Sequence, residues 1–241
     1  MMSSEKQREK EKTMVVAEHV DVLPLTFVVH FLAIPAIVLV LVWSIHFRGG
    51  LSFNSSNKSL LFNIHPVLML IGIIIIGGEA IISYKALPFQ KKSKKLIHLV
   101  LHAMALILGI IGIYAVFKFH NEMGILNLYS LHSWLGIGVI VLYGIQWIFG
   151  FVMFIYYHGV NSSLKSTTLH WHVKIGLFVY VLAVATACLG FLEKLTFMQS
   201  SGLAKHGSEA ILVNFTAIIT IFYAASVVFS AVSPSSTTPH H

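Results

Sequence analysis

Four histidines stand near the starts of four long apolar stretches: His65, His98, His132 and His172. A polar ring in hydrocarbon is costly without a partner, so histidines at these positions are functional candidates. Successive membrane helices run in alternate directions. His65 and His132, at the starts of the second and fourth stretches, therefore share one face of a bilayer, and His98 and His172, at the starts of the third and fifth, share the other. One pair on each face is what two axially ligated haems would need, and two such haems would carry single electrons across a membrane. The same rings would also serve as core polar groups, a proton relay or a zinc site. Zinc takes three or four converging ligands, whereas each face here offers two.

These rings must be positioned by six apolar segments, about 24–46, 64–84, 96–118, 131–156, 170–192 and 209–232. Each is close to the roughly 20 residues that cross a bilayer. The chain has 241 residues, of which 56% are hydrophobic and 10% charged, and its mean hydropathy is +0.82, more apolar than an ordinary soluble domain. The expected fold is an all-α membrane protein, a six-transmembrane-helix bundle whose second to fifth helices carry the four histidines, one pair towards each face. Residues 1–22 read as a disordered cytoplasmic tail, 23–232 as the membrane domain and 233–241 as a second disordered tail. The polar start lacks the apolar core and cleavage site of a signal peptide, so the first helix is expected to be an uncleaved anchor. Loops of roughly 8–17 residues cannot build a soluble catalytic domain, which puts the chemistry at the two membrane surfaces.

Charge gives the orientation. Lys6, Arg8, Lys10, Lys12, Lys85, Lys91, Lys92, Lys94, Lys95, Lys165 and Lys174 fall on one side; Arg48, Lys58, Lys118, Lys194 and Lys205 fall on the other. The positive-inside rule then places both termini in the cytoplasm. The net charge of +7 records this asymmetry rather than a nucleic-acid surface, which would carry its basic residues with aromatic platforms on a folded face. Cys188 is the single cysteine, and C-x-x-C-H does not occur, so a haem here is held without thioether links. His132 and His172 are each followed four residues on by a glycine, Gly136 and Gly176. Positions four apart share a helix face, so the glycine leaves a flat place for a porphyrin; close helix packing is the ordinary alternative.

Several longer motifs accompany the histidines: HFRGG (46–50), FNIHPVLM (62–69), KKLIHLVLH (94–102), YSLHSWLG (129–136), LHWHVKIG (169–176), LEKLTF (192–197) and SEAILVN (208–214). Together, from about residue 25 to 232, the chain resembles the cytochrome b561 family of ascorbate-dependent transmembrane oxidoreductases. The resemblance implies two non-covalent haem b groups with bis-histidine ligation, usually in a homodimer. It implies electron transfer from cytoplasmic ascorbate to monodehydroascorbate or ferric chelates on the non-cytoplasmic side. By motif, His65 and His132 match the ligands of the non-cytoplasmic haem, and His98 and His172 those of the cytoplasmic haem, the same pairing that helix polarity gives. Lys91 and Lys95 match basic positions of the cytoplasmic ascorbate site. Lys165 falls where relatives carry an arginine, so it keeps the charge but loses the bidentate fork. Phe119, His120 and Tyr129 match the outer substrate site, and His170 stands where many relatives have proline.

Other polar residues are less specific. Arg48 either neutralises a haem propionate or snorkels as an interfacial cation. His102, one turn from His98, is a second potential rung on that helix, and Glu79 is an intramembrane carboxylate without an assigned partner. The alternative function, a metal-ion or proton transporter, predicts broken helices and sites near the midplane, whereas these histidines lie near the surfaces. The expected home is an endomembrane, vacuolar or lysosome-like, or the plasma membrane.

Overall fold

The computed structural model describes residues 22–156 and 162–233. The two expected tails lie almost wholly outside the described residues. Six helices are long and apolar enough to cross a membrane: α1 (Leu25–Phe47), α2 (Ser59–Ala86), α3 (Lys91–Met123), α4 (Leu131–Tyr156), α5 (Ser163–Ser200) and α6 (Ser208–Val232). Among the described residues there is no strand. The expected spans match these six in order, but α2, α3 and α5 run past the apolar segments. At 1.5 Å per residue, the 33 residues of α3 reach about 50 Å, against a hydrocarbon core of about 30 Å. The polar ends are therefore helical, and only residues 87–90 separate α2 from α3. Hydropathy marks where lipid ends, not where the backbone stops being helical.

The helices pack as α1 on α6, α2 on α3 and α4 on α5, with α2 also meeting α5 and α6. Small residues permit the close approaches. A Cβ at Gly72 would lie 2.7 Å from the Leu108 Cβ, and one at Gly109 would lie 2.7 Å from Ile73. The core is a column of buried aliphatic side chains, Val29, Ile73, Ile74 and Val179 among them, together with Tyr143, Tyr180 and Tyr223. The faces of α1 bearing Phe27, Phe31 and Ile34 are exposed, as lipid-facing side chains are.

Within α2 the segment Met69–Ile76 is π-helical. A wider turn takes up an extra residue and disturbs the regular carbonyl pairing. Here two phenols donate to that segment: Tyr180 to the Ile74 carbonyl at 3.2 Å and Tyr223 to the Ile75 carbonyl at 2.8 Å. Gly78 leaves room for both, since a Cβ there would sit 2.6 and 2.8 Å from the Tyr223 and Tyr180 hydroxyls. Glu79 pairs with His30 of α1 at 3.1 Å. Lys85 instead donates to the carbonyls of Ser230, Ala231 and Ser233 at the end of α6.

Two local devices fix the histidine-bearing helix starts. Asn63 donates to the carbonyls of Arg48 and Gly50 at 3.2 and 2.8 Å, tying the α1–α2 connection to α2 just before His65. That connection turns through Gly49 and Gly50 with φ of 80° and 113°, a region that favours glycine. Before His132, Ser130 and Ser133 form a reciprocal capping box at the start of α4, satisfying backbone donors that have no partner inside the helix.

Candidate functional site

The structure brings the four histidines together as two pairs, one near each end of the bundle. The rings of His65 and His132 are 6.1 Å apart, and those of His98 and His172 are 6.3 Å apart. Two imidazoles bonded at about 2 Å to opposite sides of one iron hold their centroids about 6 Å apart. Hydrogen bonding also suits ligation. His65 donates Nδ1–H to the Gly112 carbonyl at 3.0 Å, His98 to Ala80 at 2.8 Å and His132 to Thr186 at 2.9 Å. Tying down Nδ1 orients the ring and leaves Nε2 free for a metal. His172 differs: its Nδ1 lies 3.0 Å from the amide nitrogen of Gln146.

Between His65 and His132 lies an apolar cavity of ≈ 710 Å³, its open mouth included, lined by Met69, Ile73, Phe117 and Gly136 among others. A bis-histidine haem fits that donor set and lining. Glycines shape both pairs. A Cβ at Gly190 would lie 2.7 Å from His132 Cε1, and one at Gly150 would lie 2.8 Å from His172 Cε1. The expected flat places divide: Gly136 lines the cavity, whereas Gly176 has the Gln146 amide nitrogen 3.2 Å from where a Cβ would be.

Around the His98–His172 pair, His102 lies edge-on to His98 at 4.4 Å and bonds through Nδ1 to the Tyr143 hydroxyl at 2.5 Å. His98 and not His102 faces His172 across a gap suited to iron. Lys95 donates to the Phe154 carbonyl at 3.3 Å, and Phe154 lies edge-on to His172 at 5.3 Å. Lys91 and Lys165 are close enough to Lys95 to repel it electrostatically. The three lysines singled out from sequence therefore lie near one another at the starts of α3 and α5, with Lys95 nearest the His98–His172 pair.

At the other end, rings lead outward from His65 without a break. Phe62 is 6.4 Å from His65, Phe119 is 5.3 Å from Phe62, His120 is 5.9 Å from Phe119 and Tyr129 is 6.2 Å from His120. Burial, together with the Glu193 carboxylate, pushes the Tyr129 phenol above its ordinary range, so it remains a donor at neutral pH. Lys194 stands over the Phe62 ring at 3.9 Å. Arg48 lies between the end of α1 and the start of α6. It pairs with Glu209, which also accepts from Trp43 Nε1 at 2.9 Å, and it is not among the residues lining the cavity. Among the described residues no three His, Cys, Asp or Glu side chains cluster as a metal site, so the zinc alternative has no ligand set there.

Comparison with known proteins settles the family. The pattern of eukaryotic cytochrome b561 matches residues 64–198, a stretch that contains all four histidines. The chain belongs to the eukaryotic cytochrome b561 family. It is 64% identical over 88% of its length to a probable ascorbate-specific transmembrane electron transporter of Oryza sativa subsp. japonica, covering 91% of that protein. It is 62% identical to transmembrane ascorbate ferrireductase 1 of Arabidopsis thaliana, covering 91% of each chain. A transmembrane ascorbate-dependent reductase of Sus scrofa is 36% identical over 78% of this chain and 73% of its own. Membership of the cytochrome b561 family implies haem b, and six apolar helices make the chain a multi-pass membrane protein.

Gln146, Gly150, Thr186 and Gly190 escaped the reading of the sequence. One signal for the glycines was present. The pattern His-x3-Gly-x13-Gly occurs once in α4 (132, 136, 150) and once in α5 (172, 176, 190).

Proposed function

We propose that this chain is an oxidoreductase that takes electrons from cytoplasmic ascorbate and delivers them to monodehydroascorbate or a ferric chelate on the other side of the membrane. When bound, two haem b groups supply the one-electron carriers. His65 with His132 holds the outer one and His98 with His172 the inner one. The observation that carries this reading is the presence of two histidine pairs at opposite ends of one bundle, with ring separations of 6.1 and 6.3 Å.

The chain's own residues do the rest. Lys91, Lys95 and Lys165 attract the ascorbate anion to the inner rim, where a cluster of like charges concentrates an anionic reductant. Phe119, His120 and Tyr129 receive the acceptor at the outer surface, with Tyr129 and His120 offering polar atoms beside an aromatic path to His65. Met69, Ile73 and Phe117 keep water from the outer pair. Arg48 joins α1 to α6 through Glu209. Both termini face the cytoplasm, in an endomembrane or the plasma membrane, and two chains associate as a homodimer. Support for the ascorbate reading comes from the names and high identity of the relatives.

Haem counting and ligand replacement test this reading. Pyridine-haemochrome analysis of the loaded protein gives two haems per chain. His98→Ala or His172→Ala removes one spectral component, and His65→Ala or His132→Ala removes the other. One haem per chain, or His65→Ala and His98→Ala removing the same component, refutes the arrangement.

A further inference from the structure

The loop that follows α3 turns back onto His120, in the last turn of that helix. Helix α3 stops at Gly124, whose φ of 68° ends it as a left-handed glycine does. The Ile125 N–H then returns to the His120 carbonyl at 2.9 Å. Further along, the same loop reaches the His120 side chain. The imidazole Nδ1–H donates to Asn127 Oδ1 at 3.1 Å, and the Asn127 amide nitrogen donates to Asn121 Oδ1 at 2.9 Å. The ring is thus engaged through Nδ1. Turning both amides round together would exchange the tautomer and leave the same nitrogen engaged. Nε2, on the other side of the ring, takes no part in this chain of bonds.

The backbone beside Asn127 explains how its amide comes to be there. Leu128 has a φ of 56°, a left-handed conformation that residues other than glycine seldom adopt. Leu128 lines the cavity between His65 and His132, and its neighbours on either side face His120 instead. Asn127 bonds that ring, and Tyr129 lies 6.2 Å from it. Phe119, the next ring towards His65, lies 5.9 Å from it. Asn121 and Asn127 are exposed, where water would satisfy their amides equally well, so these bonds add little to the stability of the fold. What they do accomplish is to fix the direction of one imidazole.

We propose that Asn127 is a positioning residue of the outer acceptor site, holding the His120 ring so that Nε2 meets the monodehydroascorbate or ferric chelate. The inference rests on the reading of His120, given above, as part of that site. A side chain ordered in advance need not be ordered when the acceptor binds, and the saving appears as affinity. Asn127 acts through His120, and Asn121 acts through Asn127.

The test is stopped-flow re-oxidation by ferric citrate of the haem-loaded protein, reduced with dithionite and desalted without oxygen. Asn127→Leu keeps the side-chain size without its polar atoms. It raises the ferric citrate concentration giving half the limiting rate by about two- to tenfold, with the limiting rate nearly unchanged and both haem bands present. Asn127→Ala does the same, and Asn121→Leu does so by less. In a His120→Ala background none of the three has a further effect, because the residue through which they act is gone. An Asn127→Leu effect that persists in that background overturns the proposal, since Asn127 would then support the loop or Tyr129. Half-saturation unmoved in both Asn127 variants overturns it too. Loss of the outer haem band in both does the same, because Asn127 would then hold the cavity rather than the ring. His120→Ala separates the two levels. If it leaves half-saturation and limiting rate unchanged, the reading of His120 in the acceptor site falls and the inference with it. If it weakens the reaction while Asn127→Leu and Asn127→Ala do not, only the role of Asn127 falls.

Discussion

A ligating imidazole is useful only if its ring cannot turn, and each of the four histidines here is held on one or two sides. Carbonyls of Gly112, Ala80 and Thr186 receive three of the rings, and Gly150 and Gly190 provide surfaces against which two of them lie. Gly190→Ala would bring a methyl within 2.7 Å of a ring already bonded to Thr186. Overpacking of this kind costs about 1–3 kcal/mol, and the ring is the part that must move. We expect Gly190→Ala to lower or abolish the outer haem signal while sparing the inner one, and Gly150→Ala to do the reverse; reduced-minus-oxidised spectra distinguish them. The basic rim is also a residue-scale matter. Neutralising Lys95 together with Lys91 or Lys165 should slow reduction by ascorbate several-fold and leave reduction by dithionite nearly unchanged. The ascorbate rate of the unaltered protein should fall with added salt, since exposed charges are screened over about 8–10 Å at 0.1–0.15 M. Stopped-flow absorbance measures both, and equal ascorbate rates in the double variants would remove the rim from the mechanism.

The helices place these residues through their ends as much as through their apolar middles. The capping box of Ser130 and Ser133 sets where α4 begins, and His132 lies inside its first turn. Ser130→Ala should cost about 1 kcal/mol and loosen the outer pair more than the inner, visible as earlier thermal loss of the outer haem band. The π-helical segment of α2 makes a second demand. The carbonyls of Ile74 and Ile75 depend on Tyr180 and Tyr223, and an unsatisfied buried acceptor costs about 1–3 kcal/mol. Tyr223→Phe should therefore lower the thermal midpoint in detergent, and Gly78→Ala should do so more severely, because its methyl would meet both phenols. A Tyr223→Phe protein as stable as the original would mean that this carbonyl finds another partner.

For the whole molecule, the distribution of Lys and Arg predicts that both termini face the cytoplasm. In sealed vesicles whose cytoplasmic face is outward, tags at either end should be cut by added protease without detergent; a protected tag at one end would reverse or break the topology. Six spans, an all-helical membrane fold and the face on which each histidine lies followed from composition and helix polarity alone. Both depend on properties that act residue by residue: transfer into hydrocarbon, and the alternation of successive spans. The pairing of His65 with His132 and of His98 with His172 was legible for the same reason. What tertiary structure decided was rotation about each helix axis and the contacts that follow from it. Apolar stretches that are hydrophobic all round carry little amphipathic signal to fix that rotation. The sequence could therefore not say that Arg48 meets Glu209, that Glu79 meets His30, or that Gly176 shelters the Gln146 amide. His30 and Glu79 stand 49 positions apart in the chain, and only close packing of the six helices brings such partners together.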